Sequence, residues 1–265
     1  MKQTSSLSIS DTIKNQLCNL SDAVLFVKKA LVEIGLLVRP PYEWEEVLYQ
    51  CYKVGYKSLT LVAITGFIMG LVMTLQSRPV LAEFGAESWL PSMVSISFIR
   101  EIGPVVTALI CAGKIGSGIG AEVGSMKVTE QIDAMEVSAT NPFKFIVATR
   151  IVATSFMVPL LAMFSDAFGM LGSFLGVNLF AQVDVQLYLH QSFSTLEFQD
   201  FFPALIKTFL FGFVIGTVGC YRGMNAGRGT ESVGMAANSA VVIASLLIFF
   251  VDLLVVQVTN LLTTN

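Results

Sequence analysis

The sequence predicts an all-α integral membrane protein, and its composition, hydropathy and long apolar segments are the observations that predict it. The 265-residue chain is 54% hydrophobic and only 13% charged, with a mean hydropathy of +0.72. Soluble domains are typically about 25% charged, so this chain has too little polar surface to cover itself in water. Its apolar segments, such as LTLVAITGFIMGLVMTL, approach or exceed the ~20 residues that a helix needs to cross a bilayer.

The first predicted domain, residues 1–41, is a tail followed by an amphipathic helix at the membrane interface. From Asp11 to Val38 apolar residues recur every three or four positions, with Lys28 and Lys29 among them, and Arg39-Pro40-Pro41 interrupts the pattern. An apolar stripe mixed with lysine suits a helix that lies on a membrane surface. Packing of this helix against a soluble partner is the alternative.

The second predicted domain, residues 42–265, contains five transmembrane helices. Pro159 lies inside the third and predicts a kink. An odd number of spans places the two chain termini on opposite sides of the membrane. The predicted spans are Tyr49–Leu75, Trp89–Gly120, Phe145–Phe180, Phe201–Cys220 and Val233–Leu262.

Basic residues predict the orientation of these spans, because cytoplasmic loops are enriched in Lys and Arg. The segment 178–200 between spans three and four has neither residue, and the turn after span one has only Arg78. The N-terminus and the loop between spans two and three are therefore expected in the cytoplasm, and the C-terminus outside. The basic residues on the predicted cytoplasmic side are Lys28, Lys29, Arg39, Lys53, Lys57, Lys114, Lys127, Lys144, Arg150, Arg222 and Arg228.

Small residues recur at helical spacing within the spans. Four of them are spaced four residues apart along span two, and glycine pairs with the same spacing occur in spans one, three and four. Close backbone approach favours helix association in lipid, so these faces predict packing within one subunit, with packing against a second copy as an additional role. The residues are Ala112, Gly116, Gly120 and Gly124, with the pairs Gly66/Gly70, Gly172/Gly176 and Gly212/Gly216.

Charged residues inside the apolar segments are the first candidate site. Arg100 and Glu101 lie about eleven residues into span two, where an ionised side chain must be paired or hydrated. Arg100 could hold the phosphate of an anionic head group, or the two residues could form ion pairs that stabilise the fold. Lys207 in span four is predicted to extend to the interface, with an inward orientation towards an anionic ligand as the alternative. Asp166 and Asp252 could pair with Arg or Lys, or accept hydrogen bonds from Ser and Thr.

The segment Ser125–Asn141, between spans two and three, is the second candidate site. Thr129 is predicted to cap a short helix, EQIDAMEV, that ends before Asn141-Pro142. Ile132 and Met135 share one face of this helix. A helix with such an apolar ridge could insert into a groove on a soluble partner, and a solvated connector is the alternative. The acidic residues beside the ridge are Glu130, Asp133 and Glu136.

Several functional classes are disfavoured by the sequence. The net charge of −3 argues against a nucleic-acid binder. The glycines of Gly116-Ser117-Gly118-Ile119-Gly120 lie at the end of a predicted membrane helix and not in the βαβ unit that a dinucleotide-binding loop requires. The sequence has no G-x-x-x-x-G-K-[ST] motif, so it carries no P-loop. His190 is the only histidine and is predicted to lie in a loop, which disfavours a His-based triad or a multi-histidine metal site.

The stretch Arg100–Pro142 resembles the MlaE (YrbE) family of ABC-transporter permease subunits. The family pattern runs R-E-L/I-G-P, A-G-R/K-x-G, A-E-x-G-x-M-x-x-T-E-Q and a D/N-P step, and this chain reads REIGP, AGKIG, AEVGSMKVTEQ and NP in that order. The resemblance extends more weakly over Trp44–Leu262. Lys114 occupies a position where Arg is common, which retains the charge but not the bidentate fork of a guanidinium.

The resemblance implies a homodimeric permease that is not itself an enzyme and binds no cofactor. ATP and Mg²⁺ would be bound by a separate ATPase subunit in the cytoplasm. An MCE-domain protein outside and often a small STAS-domain subunit inside would complete the assembly. The implied cargo is phospholipid moving between the inner and outer membranes of a diderm bacterium, which would help to maintain outer-membrane lipid asymmetry. The chain would then reside in the inner membrane.

The resemblance also implies roles for individual residues. Arg100 and Glu101 would face a lipid cavity near the dimer axis, and the segment Thr129–Val137 would be the helix that couples to the ATPase. The predicted lipid-binding residues are Arg100, Glu101, Leu71, Leu75, Gln76, Lys207 and Val255. The predicted coupling residues are Glu122, Met126, Thr129, Glu130, Gln131, Ile132, Asp133 and Met135.

Three alternatives to a phospholipid permease remain open at this point. The same machinery could move a sterol, a fatty acid or another hydrophobic molecule. A proton-coupled secondary carrier could use Glu101, Asp166 and Asp252. A membrane scaffold that transports nothing is the third.

Overall fold

The computed structural model of the protein describes residues 9–37, 43–180 and 182–263, and within these ranges it contains helices and no β-strand. This confirms the predicted all-α membrane protein. The predicted Arg39-Pro40-Pro41 interruption lies outside the described residues. The helices are α1 (Ile9–Leu36), α2 (Trp44–Glu83), α3 (Leu90–Ser97), α4 (Gly103–Cys111), α5 (Ser117–Val128), α6 (Gln131–Val137), α7 (Thr149–Asn178), α8 (Val185–Ser194), α9 (Phe198–Met224) and α10 (Thr230–Thr263).

Five helical stretches in the described residues are long and apolar enough to cross a membrane, as predicted. Span one is much longer than predicted, because α2 continues through polar residues at both ends. Backbone hydrogen bonding sustains a helix where hydropathy no longer identifies one. The observed spans are Trp44–Glu83, Glu87–Val128, Phe143–Asn178, Asp200–Met224 and Thr230–Leu261.

Span two is not a uniform α-helix. A π-helical turn at Phe98–Ile102 joins α3 to α4, and a second one at Ala112–Gly116 joins α4 to α5. Such turns widen the helix locally and occur frequently at functional sites. The first turn carries Arg100 and Glu101, and the second carries Lys114. Three of the six charged residues of this span therefore lie where its geometry is irregular.

Glycine allows α2 and α7 to pack with their backbones in contact. A Cβ atom added to Gly70 would lie 1.9 Å from the carbonyl oxygen of Gly169, and one added to Gly172 would lie 2.0 Å from that of Phe67. In span two, a Cβ atom added to Gly120 would lie 3.3 Å from the carbonyl oxygen of Ala236 in α10. The predicted packing of small-residue faces within one subunit is confirmed at these positions.

The N-terminal helix α1 covers the start of span three. Phe26 packs edge-on against Phe143 and Tyr221, with ring centroids 4.9 and 5.2 Å apart. Ala30 is fully buried, whereas Val24 is 62% exposed. The predicted amphipathic helix is therefore present, with one face packed on the spans and exposed apolar side chains elsewhere that suit a lipid surface.

Helix α8, between spans three and four, was not predicted. Tyr188 and Ser192, one turn apart, are its buried residues, and Ser92 of α3 donates a hydrogen bond to the carbonyl oxygen of Gln191 at 2.7 Å. His190 lies within this helix, so its predicted placement in a loop is wrong.

The connections between successive spans lie alternately on the two sides of the bundle. Helix α8 and the α2–α3 turn therefore lie on one side, called here the α8 side. Helix α6 and the α9–α10 turn lie on the other, the α6 side.

Candidate functional site: a charged cleft and a coupling helix

A small cleft, with a volume of about 30 Å³ in one copy of the chain, opens between the first π-helical turn, α9 and α10, towards the α8 side. It combines charged groups with apolar walls, and four of the predicted lipid-binding residues meet here. The lining residues are Arg100, Glu101, Asp200, Pro203, Ala204, Lys207, Val255, Val256, Thr259 and Asn260.

Lys207 joins three of the five spans at the floor of this cleft. Its side chain is 3% exposed, and its Nζ atom donates to Glu101 Oε2 at 2.6 Å and to Asp252 Oδ1 at 3.0 Å. The prediction that Lys207 extends to the interface is therefore wrong. The two carboxylates compensate the charge of this buried ammonium and hold it inside the bundle.

Arg100 has a different environment from Lys207. Its Nη1 atom lies 3.4 Å from Asp200 Oδ1 on α9, and 46% of the side chain remains exposed to the cleft. A guanidinium with one long ion pair retains N–H donors for another oxyanion, and its planar fork matches the oxygens of a phosphate. Arg100 is thus the cationic group in this cleft that is placed to take an anionic head group.

Three predicted lipid-binding residues lie away from this cleft. Leu71 of α2 packs against α7, where a Cβ added to Gly176 would lie 3.3 Å from its Cδ1 atom. Leu75 is 38% exposed, and Gln76 is also exposed on α2. One copy of the chain therefore does not bring these three residues together with Arg100, Glu101, Lys207 and Val255.

Asp166 of α7 lies outside the ion-pair network. Its Oδ1 atom is buried and accepts no hydrogen bond from the described residues. It faces Gly103 at the start of α4, where an added Cβ would lie 1.9 Å away. Neither predicted kind of partner for this acid, a basic residue or a hydroxyl group, is present among these contacts. The other acid, Asp252, has the basic partner that was expected of it.

Helix α6 lies between spans two and three, and its apolar ridge faces inward. Ile132 is 2% exposed, and Met126 and Met135 pack against the same core cluster. The prediction that the ridge of Ile132 and Met135 points towards a partner is therefore wrong. The buried Ile132 and the partly buried Met135 attach this short helix to the spans.

The start of α6 also differs from the prediction. Thr129 ends α5, and its Oγ1 atom donates to the carbonyl oxygen of Ser125 at 2.8 Å, so it does not cap α6. Glu130 precedes α6 in a left-handed conformation with φ of 59°. Val137, at the end of the helix, is 90% exposed and gives the outer surface an apolar side chain that the pattern did not single out. The other exposed residues of α6 are Gln131, Asp133, Ala134 and Glu136.

Glu122 connects three spans on the α6 side. Its carboxylate accepts a hydrogen bond from Lys53 of span one and pairs with Arg150 Nη2 of span three at 3.0 Å. The Arg150 side chain is 2% exposed, so Glu122 provides the charge that compensates a buried guanidinium. Glu122 was predicted to contact the ATPase. Its observed contacts are instead within the bundle, two turns before α6 begins.

Known proteins that are similar to this chain are described as permeases. Residues 47–258 match the family described as Permease MlaE. The chain is 36% identical over 233 residues to a "Probable ABC transporter permease protein" of Rickettsia typhi, covering 88% of this chain and 90% of that protein. A protein of the same description from Rickettsia bellii is 34% identical over 252 residues, covering 95% and 97%. One from Synechocystis is 33% identical over 202 residues, covering 76% and 77%.

Proposed function

The chain belongs to the MlaE permease family of ABC transporters, and on that premise we propose that it moves phospholipid. The observation that carries the proposal is the half-exposed Arg100 guanidinium at a cleft with an apolar wall. A phosphate would take the free donors of Arg100, and acyl chains would run along Val255 and Val256. Lys207 is neutralised by Glu101 and Asp252, so it would shape the cleft and leave head-group contact to Arg100.

A second copy of the chain would complete the lipid cavity. Helix α10 is largely uncovered in one copy, and exposed apolar side chains continue along it beside the cleft. Leu75 and Gln76 are exposed on the same α8-side half of α2. Pairing of two copies would bring these residues of α2 towards the cleft, with Leu71 behind them. The exposed apolar residues of α10 include Phe249, Phe250, Leu253, Leu254 and Val258.

A separate ATPase subunit would drive the cycle from the α6 side. It would bind ATP and Mg²⁺ and dock on the exposed face of α6, while Ile132 and Met135 transmit its movement into the spans. Glu122 would carry that movement further, since it is tied to spans one and three. The chain itself would be a transport subunit and not an enzyme.

The same proposal places the protein in the inner membrane of a diderm bacterium, where it would help to maintain outer-membrane lipid asymmetry. The α6 side and the N-terminus would be cytoplasmic, in keeping with the excess of Lys and Arg there. A STAS-domain subunit would bind on this side. An MCE-domain partner would bind on the α8 side, which would face the periplasm together with the C-terminus.

Replacing Arg100 by glutamate tests the head-group site. We expect Arg100→Glu to reduce co-purifying phospholipid at least tenfold, because the positive fork is replaced by a charge that repels phosphate. Mass spectrometry of lipid extracted from the purified complex measures this. Lys28→Glu makes the same charge change on the exposed face of α1 and is the matched control. Equal phospholipid in wild type, Arg100→Glu and the control would reject the site.

Replacing Val137 by aspartate tests the docking surface. Val137 is 90% exposed on α6, and a carboxylate would be costly in an apolar contact with the ATPase subunit. We expect Val137→Asp to weaken capture of that subunit at least tenfold in a pull-down. Val185→Asp, at a 52% exposed valine on α8, is the control and should leave capture unchanged. Unimpaired capture by Val137→Asp would place the docking surface elsewhere.

A further inference from the structure

A second charged cleft opens on the α6 side of the bundle, between α2 and span two. Its volume is about 480 Å³, which is larger than that of the Arg100 cleft. Lys53, Lys57 and Lys114 line it together with the apolar side chains of Val54, Ile115 and Ile119. Neither the family description nor the roles proposed above account for three lysines around one apolar cleft.

The three lysines differ in how their charges are satisfied. Lys53 is bound to Glu122, which Arg150 also neutralises, so the cleft keeps a positive balance. Lys114 donates to the backbone carbonyl oxygen of Lys57, a neutral acceptor. The Lys57 side chain is exposed and has no ion pair among the described residues. The cleft therefore has two ammonium groups without a carboxylate partner.

The surroundings of this cleft indicate its depth in the membrane. Tyr52 and Tyr56 stack on the neighbouring face of α2, with ring centroids 5.2 Å apart, and they are 55% and 67% exposed. Exposed tyrosines of a membrane helix favour the level of the lipid head groups. Lys53 and Lys57 alternate with them in sequence and so lie at the same level. The cleft therefore lies at head-group depth.

The two charged clefts lie at different depths along span two. Arg100 and Lys114 are 14 residues apart in sequence. At ~1.5 Å per residue this separation is ~21 Å along the helix, a large part of the ~30 Å hydrocarbon layer. Arg100 lies on the first π-helical turn of span two, and Lys114 lies on the second. Positive groups for lipid phosphate are therefore present in both leaflets.

We propose that the cleft of Lys53, Lys57 and Lys114 binds the head group of an acidic phospholipid from the leaflet on the α6 side. The phosphate would lie between Lys57 and Lys114, and the acyl chains would follow Val54, Ile115 and Ile119. The cleft lies at the depth of the exposed tyrosines, which favours a lipid over a soluble anion. This site is distinct from the Arg100 cleft and does not require that the bound lipid be the cargo.

A photo-crosslinking experiment tests the site on the full-length protein in detergent. The probe is phosphatidylglycerol with a diazirine near the carboxyl end of one acyl chain, added at limiting concentration. Peptide mass spectrometry would locate the crosslinks. We expect them on the peptides that contain Val54, Ile115 and Ile119, separately from those at Val255. Phosphatidylcholine with the same diazirine should label the lysine cleft at least fivefold less.

Substitutions of Lys57 and Lys114 test whether the crosslinking depends on the positive charge of these two lysines. Lys57→Gln should reduce labelling about fivefold, and Lys57→Gln/Lys114→Gln more than tenfold, because each lysine near lipid phosphate contributes about that factor. Lys28→Gln on α1 is the control and should change nothing. Lys57→Gln removes only an exposed, unpaired side chain, so it keeps the test valid if the double variant folds poorly.

Several results would overturn this inference. Unchanged labelling in Lys57→Gln and the double variant, or an equal loss in Lys28→Gln, would show that no discrete site exists. Competition by inorganic phosphate as effective as that by phosphatidylglycerol would assign the lysines to a soluble anion. Loss of ATPase capture with unchanged labelling would assign them to protein docking. Labelling at Val255 reports on the Arg100 cleft alone, so failure of one site is distinguishable from failure of the other.

Discussion

Replacing Lys207 by methionine is expected to lower the free energy of unfolding by about 3 kcal/mol, near the lower end for breaking a buried ion pair. The change leaves Glu101 and Asp252 without the ammonium that both contact, at 2.6 and 3.0 Å. The loss is moderated because Glu101 is 47% exposed and can be hydrated. Denaturant unfolding in mixed micelles measures the effect, with Lys28→Met on α1 as the control.

A second substitution separates this charge effect from lost packing. In Lys207→Met/Asp252→Asn the more buried carboxylate is also neutralised, so most of the lost stability should return. If Lys207→Met unfolds at the wild-type denaturant concentration, the three groups do not form a stabilising network. If the double variant is less stable than Lys207→Met, the loss comes from packing and not from unpaired charge.

Replacing Glu122 by glutamine is expected to cost about 3 kcal/mol of stability, because Arg150 is left as a buried, uncompensated cation. Arg150 is 2% exposed and pairs with Glu122 at 3.0 Å. Denaturant unfolding again provides the measurement. Glu136→Gln, on the exposed face of α6, makes the same chemical change and should leave stability unaltered.

The double variant Glu122→Gln/Arg150→Met distinguishes stability from coupling. With both charges removed, stability should largely return, whereas the ionic link that Glu122 makes between spans one, two and three stays broken. ATPase capture should be normal because the surface of α6 is unchanged, but ATP-driven lipid transport should stay at least tenfold below wild type. Recovery of transport together with stability would show that Glu122 has only a structural role.

The five spans could be predicted from sequence because each is long and apolar enough to be identified by itself. Their ends could not, since α2 begins at Trp44 among acidic residues that hydropathy assigns to a loop. Helix α8 was missed because Tyr188 and Ser192 are buried only through contacts with distant residues. Within the segment itself, only the four-residue spacing of Tyr188 and Ser192 indicates a helix with one buried face.

The charged residues of the site could be predicted, but their partners could not. Arg100, Glu101 and Lys207 were identified because charges are rare in apolar segments. Lys207 and Glu101 are 106 positions apart, and only the packing of α9 against span two shows that they pair. Asp200, Lys53 and Arg150 were missed for the same reason. Inward burial of Ile132 and Met135 likewise depends on where α6 lies against the spans.

We propose that this permease moves phospholipid and that a partner ATPase provides the energy. The most direct test is lipid movement in proteoliposomes that contain the chain and its ATPase subunit, followed with a labelled phospholipid. We expect movement that requires hydrolysable ATP and is unaffected when a proton gradient is dissipated. Movement driven by a proton gradient in vesicles without the ATPase subunit would contradict it and would favour a carrier that uses Glu101, Asp166 and Asp252.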